Sequence, residues 1–334
     1  MHLRDFDYDL PPELIAQYPS ASRDEARLLV VDRAARRITH DIFRNIDRYL
    51  PASSLLVVND SRVIPARLLG TKPRSGGQVE VFLLKKTGPR SFEAMLRPLK
   101  KIRENEELVF PGGVSATLTD RDRRIVEFDR DDVLDYLAEH GHIPLPPYIK
   151  RPDAASDKVD YQTVYARVPG SVAAPTAGLH FTEELMAALR ASGHAFAGVT
   201  LHVNYGTFKP VEAEDVVSHP MHLEHYEIPS AACAAIAQAR ARGGKVVAVG
   251  TTSCRTLEAF ARTGRRADDT DLFLYPGAEF KMTDVLVTNF HLPRSTLLML
   301  VSAFGGLALI REAYREAILE KYRFYSYGDA MIVT

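Results

Sequence analysis

Ten consecutive residues, HPMHLEHYEI (219–228), hold three histidines and two glutamates. Zinc sites built from short motifs space two histidines along a helix or use cysteine pairs. Here Pro220 follows His219, and His222, Glu224 and Tyr226 alternate with Leu223 and His225. That alternation predicts a strand with His222 and Glu224 on the same face. An imidazole beside a carboxylate suits proton transfer or a structural hydrogen-bonded pair, and a metal site ranks below both.

Other polar groups gather where apolar runs end. LLVV (55–58) runs into Asn59, Asp60, Ser61 and Arg62. KVVAVG (245–250) runs into Thr251, Thr252 and Ser253, whose hydroxyls and backbone N–H groups at a helix start suit a carboxylate or phosphate. DVLVTNF (284–290) runs into HLPRST, with Asn289, His291, Arg294, Ser295 and Thr296. AAPTAGLHFT (173–182) offers Thr176, Gly178 and His180, with small residues that let a backbone approach a ligand. GVTLHV (198–203) leads into Asn204, Tyr205, Gly206, Thr207 and Phe208, whose aromatic faces suit a cation or a base. Each has a plainer use: capping for the hydroxyls, local packing for His180, core packing for the aromatics.

These groups need a scaffold that brings distant loops together. The apolar runs do not alternate, which suits strands covered on both faces. Helices fit between them: TEELMAALRASG, capped by Thr182 and stopped by Gly193, and AACAAIAQARAR, capped by Ser230 and stopped by Gly243 and Gly244. CRTLEAFAR and the apolar LLMLVSAF read as two more. Strands alternating with helices predict a layered α/β fold, in which ligands bind beyond the carboxyl ends of strands. Residues 61–151 differ. Short strand-like runs such as VEVFLL and SFEAML are separated by turn sequences, which predicts a small β-barrel inserted into an α/β domain formed by 1–60 and 152–334.

Charge divides the chain the same way. The net charge is -1, yet residues 61–124 carry 14 Lys and Arg against 7 Asp and Glu. A basic module on a neutral chain suggests a polyanion, although a solvated surface has the same composition. Two cysteines make no disulfide framework and suit a reducing cytoplasm. The N-terminus carries charges and prolines where a signal peptide needs an apolar core, and no apolar run is long enough to span a bilayer. Neither a Gly-x-Gly-x-x-Gly fingerprint nor a Walker phosphate loop occurs.

The ordered set VVNDSRVIPARL, PTAGLHFT, LHVNYGTFKPV, HPMHLEHY, VGTTSCRTLE, YPG and TNFHLPRSTLLMLVSAF resembles the S-adenosylmethionine:tRNA ribosyltransferase-isomerases of queuosine biosynthesis along nearly the whole chain. The chain departs from the family at Asn204, where glycine is usual, at Cys254, where valine is usual, and at His225, which lies outside the pattern. The resemblance implies an α/β domain interrupted by a β-barrel, S-adenosylmethionine as cosubstrate and no metal. It implies transfer of the ribosyl part of S-adenosylmethionine to 7-aminomethyl-7-deazaguanine at the tRNA wobble position, giving epoxyqueuosine, adenine and methionine.

On that resemblance His222 or Glu224 is the candidate base, and His291, His180 or Asp60 the candidate acid for adenine. Tyr205, Gly206, Thr207, Phe208, Thr176, Gly178, Thr251, Thr252, Asn289, Ser295 and Thr296 are candidates to hold the cosubstrate. Arg62, Arg67, Lys100, Lys101, Arg103, Arg255 and Arg294 are candidates to meet tRNA, with the amino-acid end as an alternative for Arg62, Arg255 and Arg294. The expected partner is tRNA carrying the deazaguanine precursor, with no membrane, a monomeric state and a cytoplasmic location. The alternatives are an RNA-binding module without turnover and a small-molecule methyltransferase.

Overall fold

The computed structural model describes residues 1–203, 211 and 213–334. Tyr205, Gly206, Thr207 and Phe208, with Asn204, lie outside the described residues. Before the inserted segment come strands β1 (Arg27–Asp32), β2 (Arg37–Ile42), β3 (Leu55–Asn59) and β4 (Ser61–Val63). Next are β5 (Arg67–Thr71), β6 (Gln78–Lys86), β7 (Ser91–Arg97), β8 (Glu107–Val109), β9 (Ser115–Asp120) and β10 (Ile125–Phe128), then helix α1 (Val133–His140) and the short α2 (Asp157–Asp160). The rest alternates: β11 (Val168–Ser171), α3 (Glu183–Ala191), β12 (Ala195–Leu201), β13 (Glu224–Glu227), α4 (Ser230–Ala241), β14 (Val246–Val249), α5 (Thr251–Thr263), β15 (Ala267–Thr270), β16 (Val285–Asn289), α6 (Thr296–Gly305), α7 (Leu307–Leu319) and β17 (Ala330–Val333).

Nine strands form one mixed sheet, in the order β15-β13-β12-β3-β14-β16-β17-β1-β2. Its middle four, β12, β3, β14 and β16, are mutually parallel, so their carboxyl ends share one edge. The continuous apolar runs follow from burial on both faces. Leu55, Val57, Val246, Ala248 and Leu286 pack with α4, α5, α6 and α7 on one side. Leu56, Val58, Val247, Val249, Val285 and Val287 pack with α3, Phe43 and Ile46 on the other.

Thr182 caps α3 as expected, its hydroxyl accepting from the Leu185 N–H at 3.0 Å. Ser230 does not cap α4: Pro229 is the cap residue, Ser230 is the first helical position, and its hydroxyl accepts from Arg266 instead. A one-residue shift moves the hydroxyl off the free amides and turns it to a neighbouring cation. Helix α6 is the buried helix expected from LLMLVSAF, meeting α7 at 114°. Among the described residues no single helix is long and apolar enough to cross a membrane.

Six strands close into a ring, β10-β7-β6-β5-β8-β9. Its inward side chains, among them Leu68, Val81, Phe92, Leu118 and Phe128, form their own core, which α1 closes with Val133, Tyr136 and Leu137. Strand β4 pairs with β11 rather than with the ring, and Ile143 and Ile149 pack against Tyr161 and Ala16 outside it. The ring strands therefore occupy 67–128, inside the longer segment 61–151.

Candidate active site

Two clefts open at the shared carboxyl edge of the parallel strands. The first, of about 570 Å³, is bounded by Thr176, Asn289, His291, Tyr325 and a wall of Ala173, Ala177, Val203, Phe290 and Leu297. The second, of about 680 Å³, is bounded by His219, His222, Glu224, Arg255, Phe273 and Thr296. Thr251, Thr252 and Leu297 line both.

The strip between the clefts begins at Gly250, whose φ of +90° sends the chain sharply from β14 into α5. A side chain there would be strained. No side chain caps α5, so its first N–H groups face the clefts with the positive end of the helix dipole. The Ser253 hydroxyl turns back to the Val249 carbonyl at 2.8 Å, whereas the buried Thr252 hydroxyl has no partner.

In the second cleft, Glu224 is buried at the start of β13 while His222 is exposed just before it. The Arg255 guanidinium, itself buried, donates to the Glu224 carboxylate, to the backbone carbonyls of Leu272 and Thr270 at 3.0 and 2.8 Å, and to that of His222 at 3.1 Å. Arg255 therefore ties both halves of the His222–Glu224 pair to α5 and points no cation outward. His219 packs edge-on against Phe273, its pKa lowered by burial and by nearby His222. His225 faces the other way, bonded to Asp269 at 2.9 Å across to β15. Among the described residues no group of three His, Cys, Asp or Glu side chains is arranged to hold a metal ion.

The first cleft holds its polar groups in a drier setting. The His291 ring meets the Thr288 hydroxyl at 2.7 Å, and burial pushes its pKa down to about 3. His180 lies behind the cleft, its Nε2 3.1 Å from the Asn289 amide nitrogen, its pKa also pushed down to about 3 by burial, with Arg323 adding to the effect. Both rings are neutral at neutral pH and hold no ready proton for a leaving base. Asp60 borders neither cleft: its carboxylate accepts from Thr200 at 2.7 Å and from Arg167 at 2.8 Å. Gly178 serves packing, since a side chain there would run into the Tyr165 hydroxyl at 2.0 Å. The Ser295 hydroxyl is spent as the cap of α6, accepting from the Leu298 N–H at 3.2 Å.

The remaining basic candidates lie apart. Lys100, Lys101 and Arg103 are exposed on the connection between β7 and β8, and Arg62 is exposed on β4. Arg67 is paired to Glu80 at 3.2 Å. Arg294, half exposed at a φ of +56°, grips Asp7 through two nitrogens. Sequence reading missed Tyr148, Tyr325 and Ser326, which close the first cleft. Tyr325 and Ser326 lie in a tyrosine-rich turn before β17, and Tyr148 in the proline-rich stretch after α1.

Fold and clefts describe an α/β enzyme-like scaffold with a two-part ligand site beyond the ends of parallel strands. A family model described as queuosine biosynthesis protein matches residues 3–333. The chain is similar to proteins named S-adenosylmethionine:tRNA ribosyltransferase-isomerase, at 51% identity in Symbiobacterium thermophilum and 46% in a Sulfurihydrogenibium species, covering 100% of both chains in each case. The crystal structure of an S-adenosylmethionine tRNA ribosyltransferase from Thermotoga maritima aligns over 99% of this chain and 100% of its own, at 40% identity and a TM-score of 0.58. The chain belongs to the queuosine biosynthesis protein family.

Proposed function

We propose that this protein transfers and isomerises the ribosyl moiety of S-adenosylmethionine onto 7-aminomethyl-7-deazaguanine at the wobble position of tRNA, giving epoxyqueuosine-tRNA, adenine and methionine. One observation carries this reading for the chain's own residues: loops from three of the parallel strands, β12, β14 and β16, converge on two clefts that share the Thr251–Thr252 strip. A sulfonium nucleoside has two chemically unlike ends joined by a sugar, and the paired clefts match that division.

Methionine leaves after a proton is taken from the carbon beside the sulfonium, whose positive charge acidifies it. His222 is the base: its ring is exposed at the cleft, whereas the carboxylate of Glu224 is engaged by Arg255. Arg255 is a positioning residue, holding Glu224 and the His222 backbone together. The uncapped start of α5, with Thr251 and Thr252, receives the methionine carboxylate. Adenine departs from the first cleft, aided by hydrogen bonding rather than by a histidinium, because both buried imidazoles are neutral. The cosubstrate is S-adenosylmethionine, and the scheme requires no metal.

The ring is an inserted basic barrel domain that docks the anticodon arm through Lys100, Lys101 and Arg103, adding salt-dependent affinity. The unstacked wobble base is read at the clefts. The protein acts as a monomer in the cytoplasm. The test is mass analysis of tRNA bearing the deazaguanine precursor after incubation with the protein and S-adenosylmethionine. Adenine, methionine and the epoxycyclopentanediol mass increment support the reading. S-adenosylhomocysteine indicates methylation, and unchanged tRNA with no small product indicates an RNA-binding module; either result overturns it.

A further inference from the structure

Asn289 ends β16 at the floor of the first cleft and is only 1% exposed. Its amide nitrogen faces three acceptors: His180 Nε2 at 3.1 Å and the carbonyls of Tyr325 and Asp329 at 3.2 and 3.5 Å. The opposite orientation would aim the amide oxygen at two carbonyl oxygens, so the direction of the amide is set. His180 accepts at Nε2 only as the neutral tautomer protonated at Nδ1, consistent with its hydrogen bond to the Arg23 backbone. The Oδ1 of Asn289 is buried and has no donor. An unfilled buried acceptor favours a ligand that brings an N–H or O–H to it and disfavours one that does not.

S-adenosylmethionine, the cosubstrate of the proposed function on which this step rests, offers three kinds of donor. Its ammonium group stays with the methionine carboxylate at the start of α5, on the side of the second, charged cleft. Its sugar joins both ends and must cross the strip that the two clefts share. Adenine remains, a flat ring that matches the apolar and aromatic walls of the first cleft. We infer that Asn289 selects the cosubstrate by accepting a hydrogen bond from the 6-amino group of its adenine, and that His180 is the positioning residue that keeps the Asn289 amide turned that way. A 6-oxo purine would place an acceptor against an acceptor.

The experiment compares binding of S-adenosylhomocysteine and S-inosylhomocysteine by calorimetry to the whole protein, its Asn289→Ala and Asn289→Ser variants, and His180→Phe. The wild type is expected to prefer the 6-amino ligand by about tenfold to a hundredfold. The preference should shrink toward unity in the Asn289 variants, and in His180→Phe, although His180 does not line the first cleft. A merely structural role for His180 would lower both affinities and leave their ratio unchanged. Equal affinity of the wild type for both ligands overturns the assignment of Asn289 while leaving the cosubstrate site intact. An intact ratio in His180→Phe overturns the positioning role. Binding of neither ligand to folded wild-type protein overturns the cosubstrate site itself.

Discussion

The sheet edge and the six-stranded ring use charge in opposite ways. At the sheet edge, Glu224, Arg255, Asp60 and His180 are buried and matched: Arg255 with Glu224, Asp60 with Thr200 and the exposed Arg167, His180 with Asn289. On the ring, Lys100, Lys101 and Arg103 stand in solvent around a separate apolar core. A buried ion is costly unless its partners are in place, so it serves position. An exposed one costs little and serves long-range attraction. Arg255 and Lys100 look alike in a sequence, yet only the second has its charge available to a polyanion.

The largest effect should come from breaking the buried side of this contrast. Arg255→Ala leaves Glu224 buried without its guanidinium and should cost about 3–5 kcal/mol of stability by denaturant titration. A cost below about 1 kcal/mol would place Arg255 with the solvent-screened pairs. His222→Ala removes the proposed base without emptying the core; adenine release should slow by at least about a hundredfold at unchanged melting temperature. Wild-type rates in that variant would move the base elsewhere.

Acid should separate the regions next. His180 and His291 have folded-state pKa values near 3, against about 6.5 in an unfolded chain. Between those values the unfolded state binds more protons, so stability rises with pH and is lost as pH falls below about 6.5. The expected slope is about 1.4 kcal/mol per pH unit for each imidazole. Denaturant titrations from pH 7 to 5 measure it, and His180→Phe should remove one imidazole's share. A flat profile would mean that these rings are not held neutral.

The smallest effect on folding belongs to the ring. Neutralising Lys100, Lys101 and Arg103 to Gln should change stability by less than about 0.5 kcal/mol. If all three meet phosphates, the log–log salt slope of tRNA affinity should flatten by about 2 to 3. An unchanged slope would remove them from the interface and end the contrast as a statement about function.

Much of the scaffold was legible in the chain. LLVV, KVVAVG and DVLVTNF read as doubly covered strands because apolarity without alternation has few other uses in runs so short, and they are β3, β14 and β16. The Thr182 cap was legible because an N-cap bond spans three residues; Ser230 was misread because a one-residue shift leaves no trace in composition. The polar loops were visible as a set. Their division into an apolar cleft and a charged one was not, since Tyr325 and Ala173 meet only through the sheet.

Local order, which groups sit at strand ends and where charge accumulates were determined by residue type and spacing alone, because periodicity, turn chemistry and hydropathy act over a few neighbours. Which charge is buried, which imidazole is neutral and which partners the Asn289 amide nitrogen meets were decided only by the tertiary structure. Arg255 meets Glu224 across 31 residues and Asn289 meets His180 across 109. Desolvation and hydrogen-bond direction depend on such partners, and no local signal in the chain encodes them.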